Sequence, residues 1–586
     1  MKREHYQKTV GLVIILLIIF SIRILFLDSD VPYWGIINYQ PIDEGAYSYL
    51  ALNKINYGVI NPDIKFPEVN QYTGEHVRTN FIGNLFSYLG VKCFGDNYYG
   101  LRMGSIFCML INLFLIYYIF LQLHKKYHSN DKVNLNPVFF LFYILFEFTF
   151  FVASRINETS IYRMLFLLLS YALFIKLNKS YVIRFFLLGF ISVFSVFGIY
   201  ITNIFLVIAI LATIVCIYFW SDIKKGVCAT ISFGIGSSVA YFLCDIYFRV
   251  FWDCTLIENT TSVIGAFSGI AEYQTTRTFW DVFRIVIEFF SNNFALYNIG
   301  IFLLILIFIP ILLYYMFRQK DYNILMSFFI LGAFLCQTLF SEDFIRRKFI
   351  IVAPICYILL YIIFLTKDTV NLKIPMFLKY AYICVCFLGA EGVLIFRLFI
   401  VHDNTRNDFS KTTIWILILL GTLINLFIIF YVFSADLKIK KSFLLLAIIL
   451  SIFNNCYMIY TTIYQHPTFS EKHIMEELDN LKLENKHIVG TYALGYTLYN
   501  KYIPVLNSYE GMKNILIKHP EYYYFDYSIK NNEGVQKHIE GILKNTDYYL
   551  KEIHTFSREF QTFGEKRKMA LYKVEKREKE KENEKN

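Results

Sequence analysis

Charge is scarce in this chain. Of its 586 residues only 17% are Asp, Glu, Lys or Arg, while 56% are hydrophobic. A soluble protein carries roughly a quarter charged residues, so a water-soluble globule is excluded. Disulfide patterning is lacking too. Most of the eleven cysteines fall inside apolar runs (Cys216, Cys336, Cys356, Cys384, Cys386 and Cys456), where Cys acts as a small apolar side chain. No zinc-ligand spacing occurs, and no repeat at a solenoid period. No small-residue cleavage site follows the first apolar run, which is therefore expected to be a retained helix. The net charge of +10 comes from Lys and Arg spread through short loops. That distribution speaks against nucleic-acid binding and for the positive-inside rule.

What is present is apolar sequence in runs of about 20 residues, the length that crosses ~30 Å of hydrocarbon. Tyrosines flank many runs as interface anchors, within an aromatic content of 19%. The expected fold is an all-α polytopic membrane protein with about thirteen spans and a small C-terminal α/β domain. The basic N-terminus, Met1–Lys8, predicts a cytoplasmic start. Basic inner loops at regular intervals, such as Arg318 with Lys320 and Lys438 with Lys440 and Lys441, predict an extracytoplasmic C-terminal domain. The expected organisation is a transmembrane domain over 1–464, an α/β domain over 465–574 and a disordered charged tail over 575–586. Two long external loops, 28–103 and 248–297, interrupt the spans, and the third span is expected unbroken over about 137–153.

Ionisable groups near spans are costly, so their placement is informative. Under this topology Arg23, Asp43, Glu44, Arg78, Arg155, Glu158, Arg346, Arg347 and Lys348 all fall at or near the outer face. One polar chamber open to the outside accounts for that asymmetry. A transporter places its charges near the midplane instead. Asp43 and Glu44 open a short amphipathic helix just after the first span. As ordinary helix-start residues they cap amides and favour the dipole. The same setting keeps a carboxylate ionised, as a general base requires. Arg23 is close enough to its span end to snorkel, and Glu147, inside the third span, has no evident partner.

Several segments resemble the GT-C membrane glycosyltransferases, in particular the protein O-mannosyltransferase and aminoarabinose (lipid A) transferase group. They are Ser21-Ile-Arg23, Asp43-Glu-Gly-Ala-Tyr-Ser-Tyr-Leu-Ala-Leu-Asn53, Phe94-Gly-Asp-Asn-Tyr-Tyr-Gly-Leu-Arg102, Ser154-Arg155 with Glu158, and Arg347-Lys-Phe-Ile-Ile-Val-Ala-Pro354. Their order agrees across roughly residues 1–365. The aminoarabinose transferases carry a Phe-Glu-Lys-Pro-Pro stretch in the first loop. Here that region reads Tyr72-Thr-Gly-Glu-His-Val-Arg-Thr-Asn80, without prolines.

The resemblance implies an inverting glycosyltransferase whose donor sugar hangs on a polyprenyl phosphate and whose acceptor is a protein, lipid or cell-surface glycan on the outer side. It implies Asp43 as base and Glu44 as its orienting partner. Arg78, Arg346, Arg347 and Lys348 are expected at the donor phosphate, which as leaving group needs positive charge rather than an acid. Arg155 and Glu158 are expected to contact substrate. No metal site or cofactor is expected, and the partners are the lipid-linked donor, the acceptor and membrane lipids. A polysaccharide polymerase or ligase is the alternative, but its late-loop machinery has little room in His402–Lys411. A lipid-glycan flippase ranks lower, since paired Gly/Pro-broken spans are not evident.

Overall fold

The computed structural model describes residues 17–30, 80–127, 137–175, 181–261, 296–340, 345–366, 437–489, 503–505, 521–526, 532–560 and 565–577. Parts of 48–58, 380–391 and 415–426 are also described, and short gaps fall at 96, 157–158, 220–221, 253, 466 and 484–485.

The described residues up to 465 fold as a helical bundle. Its helices are α1 (Phe81–Phe94), α2 (Tyr98–Tyr127), α3 (Pro137–Leu145), α4 (Phe148–Ala153), α5 (Thr159–Ile175) and α6 (Tyr181–Gly198). There follow α7 (Ile204–Phe219), α8 (Ile223–Trp252), α9 (Leu296–Arg318), α10 (Tyr322–Phe340), α11 (Ile345–Leu365) and α12 (Leu437–Ile459). Among the described residues α2 and α8, at 30 residues each, are long and apolar enough to cross a membrane. At 1.5 Å per residue each reaches about 45 Å, more than the hydrocarbon thickness.

The helices start and stop for local reasons. Asn97 accepts the Gly100 amide at 2.8 Å and opens α2, which ends on His124, Lys125 and Lys126, cations suited to the negative end of the dipole. The α6–α8 pair lies unusually close. A Cβ on Gly236 would sit 1.9 Å from the Phe186 carbonyl oxygen, and one on Gly189 2.0 Å from that of Phe233. Small residues let backbones approach this way where lipid supplies no hydrophobic drive between helices.

The third span departs from its expected form. It breaks at Phe146-Glu147 into α3 and α4. Glu147 is fully buried, and its carboxylate accepts the Phe150 amide at 2.5 Å. A charged side chain inside a span is thus accounted for by the helix start that the break creates.

The C-terminal domain carries α13 (Ser470–Asn480), α14 (Asn532–Leu543) and strands β1 (His487–Val489), β2 (Ile503–Val505), β3 (Tyr522–Asp526), β4 (Tyr548–Phe560) and β5 (Glu565–Lys576). The sheet order is β2-β1-β3-β5-β4, with β1 parallel to β2 and β3, and β5 antiparallel to β3 and β4. Alternation along β3 explains its tyrosines. Tyr522 and Tyr524 pack under Ile474 and Leu478 of α13, while Tyr523 and Phe525 pack under Ile539 and Leu543 of α14. These rings belong to the domain core. Residues 575 and 576, expected in the charged tail, belong instead to β5, where Lys576 pairs with Tyr548; residues 578–586 lie outside the described residues.

Candidate active site at the exit of the first span

Residues 17–24 are helical, and the chain then turns through Phe26, which adopts a left-handed φ of 51°. The turn leaves a run of carbonyls without helical partners. Two buried arginines take them. Arg155 donates to the carbonyls of Arg23 at 2.8 Å, Leu25 at 2.7 Å and Phe26 at 2.6 Å. Arg102 donates to those of Leu27 at 2.8 Å and Ser29 at 2.6 Å. A guanidinium carries five donors in a fixed fork, which suits it to such a cluster of acceptors.

Arg23 is buried rather than snorkelling, at 1% exposure. Its guanidinium donates to the Leu145 carbonyl at 2.8 Å and to Ser154 Oγ at 3.1 Å, and lies 4.5 Å over the Phe151 ring. It therefore takes a carbonyl freed where α3 ends. The first span, the broken third span and the start of α2 are locked into one polar cluster. Tyr464, beyond α12, joins it by donating to the Ile22 carbonyl.

The C-terminal domain docks on the same cluster. The Asp30 carboxylate accepts the amides of Ser470 and Glu471, both at 2.9 Å, and the Thr468 hydroxyl at 2.7 Å. It caps α13 from a distant part of the chain, in the manner of an N-cap. Glu471 in turn pairs with Arg102 at 3.4 Å, with both side chains buried. Ser29, Asp30, Arg102 and Arg155 line a cavity of about 10 Å³, room for one water molecule and far too small for a sugar.

Of the expected site residues, Asp43, Glu44, Arg78 and Glu158 lie outside the described residues. Arg346, Arg347 and Lys348 occupy the first turn of α11, with their side chains outside the description. The direction of α11 is clear. Tyr361, near its end, meets His124, near the end of α2, at 3.1 Å, and Tyr357 packs on Tyr143. The basic turn therefore stands at the end of the bundle where α2 begins and the C-terminal domain docks. Arg155 is described, and what it holds is backbone. Its shown contacts give it the job of shaping the first-span exit.

No protein-family profile matches the chain, and no curated protein matches it in sequence. Solved structures do match in shape. The crystal structure of ArnT from Cupriavidus metallidurans in the apo state superposes with a TM-score of 0.50 at 9% identity, covering 97% of this chain and 98% of that one. ArnT from the same organism bound to undecaprenyl phosphate gives a TM-score of 0.51 at 9% identity, over 96% and 98%. ArnT is a GT-C glycosyltransferase. The fold here is GT-C.

Within the GT-C fold the match runs through the C-terminal domain as well as the bundle, beyond the first 365 residues where motif likeness was expected. Sequence reasoning missed Asp30, Glu471 and the structural roles of Arg102 and Glu147. Arg102 stood at the end of a matched segment, but its partner lies 369 residues away. No local spacing links the two.

Proposed function

We propose that this protein is an inverting glycosyltransferase that moves a sugar from a polyprenyl-phosphate donor to an acceptor on the outer face of the membrane. The observation that carries the reading is the GT-C architecture over nearly the whole chain, shared with a structure that holds undecaprenyl phosphate. The motif likeness around Asp43 supports it independently.

The acceptor hydroxyl oxygen attacks the anomeric carbon, and the bond from that carbon to the donor phosphate oxygen breaks. The hydroxyl proton passes to Asp43, with Glu44 orienting it. The departing polyprenyl phosphate gathers negative charge and needs fixed cations rather than an acid. Arg346, Arg347 and Lys348 fill that role on the first turn of α11, together with Arg78 from the first loop. Arg155 holds the carbonyls at the first-span exit, and Glu158, three residues on, takes a sugar hydroxyl. The acceptor class is a protein, lipid or envelope glycan.

Mass spectrometry of surface glycans from cells with and without the protein tests this. The expected outcome is loss of one defined sugar from one class of acceptor, which names donor and acceptor together. Identical glycan profiles, with the protein demonstrably made in one strain, would refute it.

A further inference from the structure

A second feature lies at the opposite end of the bundle from the C-terminal domain. Helix α2 runs from Arg102, which touches that domain, to Lys126 and Tyr127, which both bond Asp321. At this far end α7, α9 and α10 leave a crevice of about 90 Å³. Ile217, Met316, Phe317 and Leu325 give it apolar walls, with Tyr322 and Lys320 at its rim.

The turn bearing Lys320 is held firmly. Asp321 caps α10 by accepting the Asn323 amide at 3.0 Å, and it pairs with Lys126 at 3.2 Å. The amides of Gln319 and Asp321 both return to the Tyr315 carbonyl, at 3.1 and 3.2 Å. This closes α9 in a motif whose left-handed position usually carries glycine. Here it carries Lys320, with φ 49°. A side chain with a Cβ is disfavoured there. The exchange is explained if a cation is wanted at that rim. Among the described residues no carboxylate pairs with Arg318 or Lys320, since the neighbouring Asp321 is engaged by Lys126.

An apolar slot between helices with a lysine at its rim, and a second cation, Arg318, two residues before it in the chain, has the chemistry of a phospholipid site. The Arg and Lys of this end place it in the cytoplasmic leaflet by the positive-inside rule. We infer that the crevice between α7, α9 and α10 binds an anionic phospholipid, with an acyl chain along Phe317 and Leu325 and the headgroup phosphate on Lys320 and Arg318. This site is separate from the donor site proposed above, and the inference does not depend on that reading.

The test is native mass spectrometry of the full chain released from nanodiscs made of equal parts phosphatidylcholine and phosphatidylglycerol. The wild type should retain phosphatidylglycerol in excess over phosphatidylcholine. Lys320→Gly removes the cation and relieves the left-handed backbone, so the variant should melt no lower than wild type. Its phosphatidylglycerol retention should fall about fivefold, the effect of one basic residue near an anionic lipid. The pair Lys224→Gln with Lys225→Gln, basic residues of the same end outside the crevice, should leave retention unchanged. Equal retention by wild type and Lys320→Gly would overturn the proposal. So would an equal fall in the Lys224/Lys225 variant, which would mark a diffuse charge effect.

Discussion

Replacing Glu471 with alanine probes the junction between the two domains. The Glu471 carboxylate and the Arg102 guanidinium are 5% and 1% exposed, with their closest atoms 3.4 Å apart. Removing one partner of such a pair strands the other charge away from water, at about 3–5 kcal/mol. Arg102 would still hold the Leu27 and Ser29 carbonyls, and Asp30 would still cap α13. Those remaining bonds place the expected loss at the low end, about 3 kcal/mol. Glu471→Gln should lose less, because its amide oxygen can still accept from Arg102. Chemical unfolding in mixed micelles measures the stability change, and limited proteolysis reports release of the C-terminal domain. Stability within about 0.5 kcal/mol of wild type, the range of an ordinary surface change, together with unchanged proteolysis would refute the reasoning.

Glu147→Ala removes the carboxylate that accepts the Phe150 amide, so a loss of about 1–2 kcal/mol is expected in the same unfolding assay. Gly236→Ala places a methyl against the Phe186 carbonyl, and the α6–α8 pair must part, lowering stability by about 1–3 kcal/mol. The long hairpin should weaken in acid. Hydrogen bonds from Thr555 and Tyr572 hold the Glu552 carboxyl below its ordinary value, and Lys551 does the same for Glu575. A carboxylate depressed in the folded state contributes stability above its unfolded pKa and loses it as pH falls through the lower folded value. Hydrogen exchange of β4 and β5 amides should therefore be unchanged from neutral pH down to the ordinary glutamate range. Below that range they should open more readily, after correction for the intrinsic exchange rate.

The fold class was legible because hydropathy decides it. A backbone in lipid must close its own hydrogen bonds, so long apolar runs can only be helices. Asp245 and Arg249, four residues apart in the sequence, pair at 2.6 Å as that helical spacing allows. The β-branched and aromatic runs His487-Ile-Val489 and Tyr522-Tyr-Tyr-Phe-Asp526 mark β1 and β3 in the sequence, whereas the charged hairpin β4–β5 carries no such mark. Its alternating Lys and Glu conceal a core face carried by Phe556, Met569 and Leu571. The break at Glu147 escaped because its cause is a cap within one turn of apolar sequence. The clasp at the first-span exit escaped for a different reason. Arg23 and Arg155 each read as a lone outer-face cation and Arg102 as the end of a motif segment, and all three donate to backbone carbonyls, which leave no mark in a sequence.

The central claim is that this chain transfers a sugar from a polyprenyl phosphate with Asp43 as base. Purified protein in liposomes, given a polyprenyl-phosphate sugar and membrane extract as acceptor source, should release free polyprenyl phosphate. The Asp43→Asn variant should bind the same donor and release none. Release by Asp43→Asn at the wild-type rate would contradict the assigned chemistry, and absence of release by the wild type across polyprenyl-phosphate sugars would contradict the function itself.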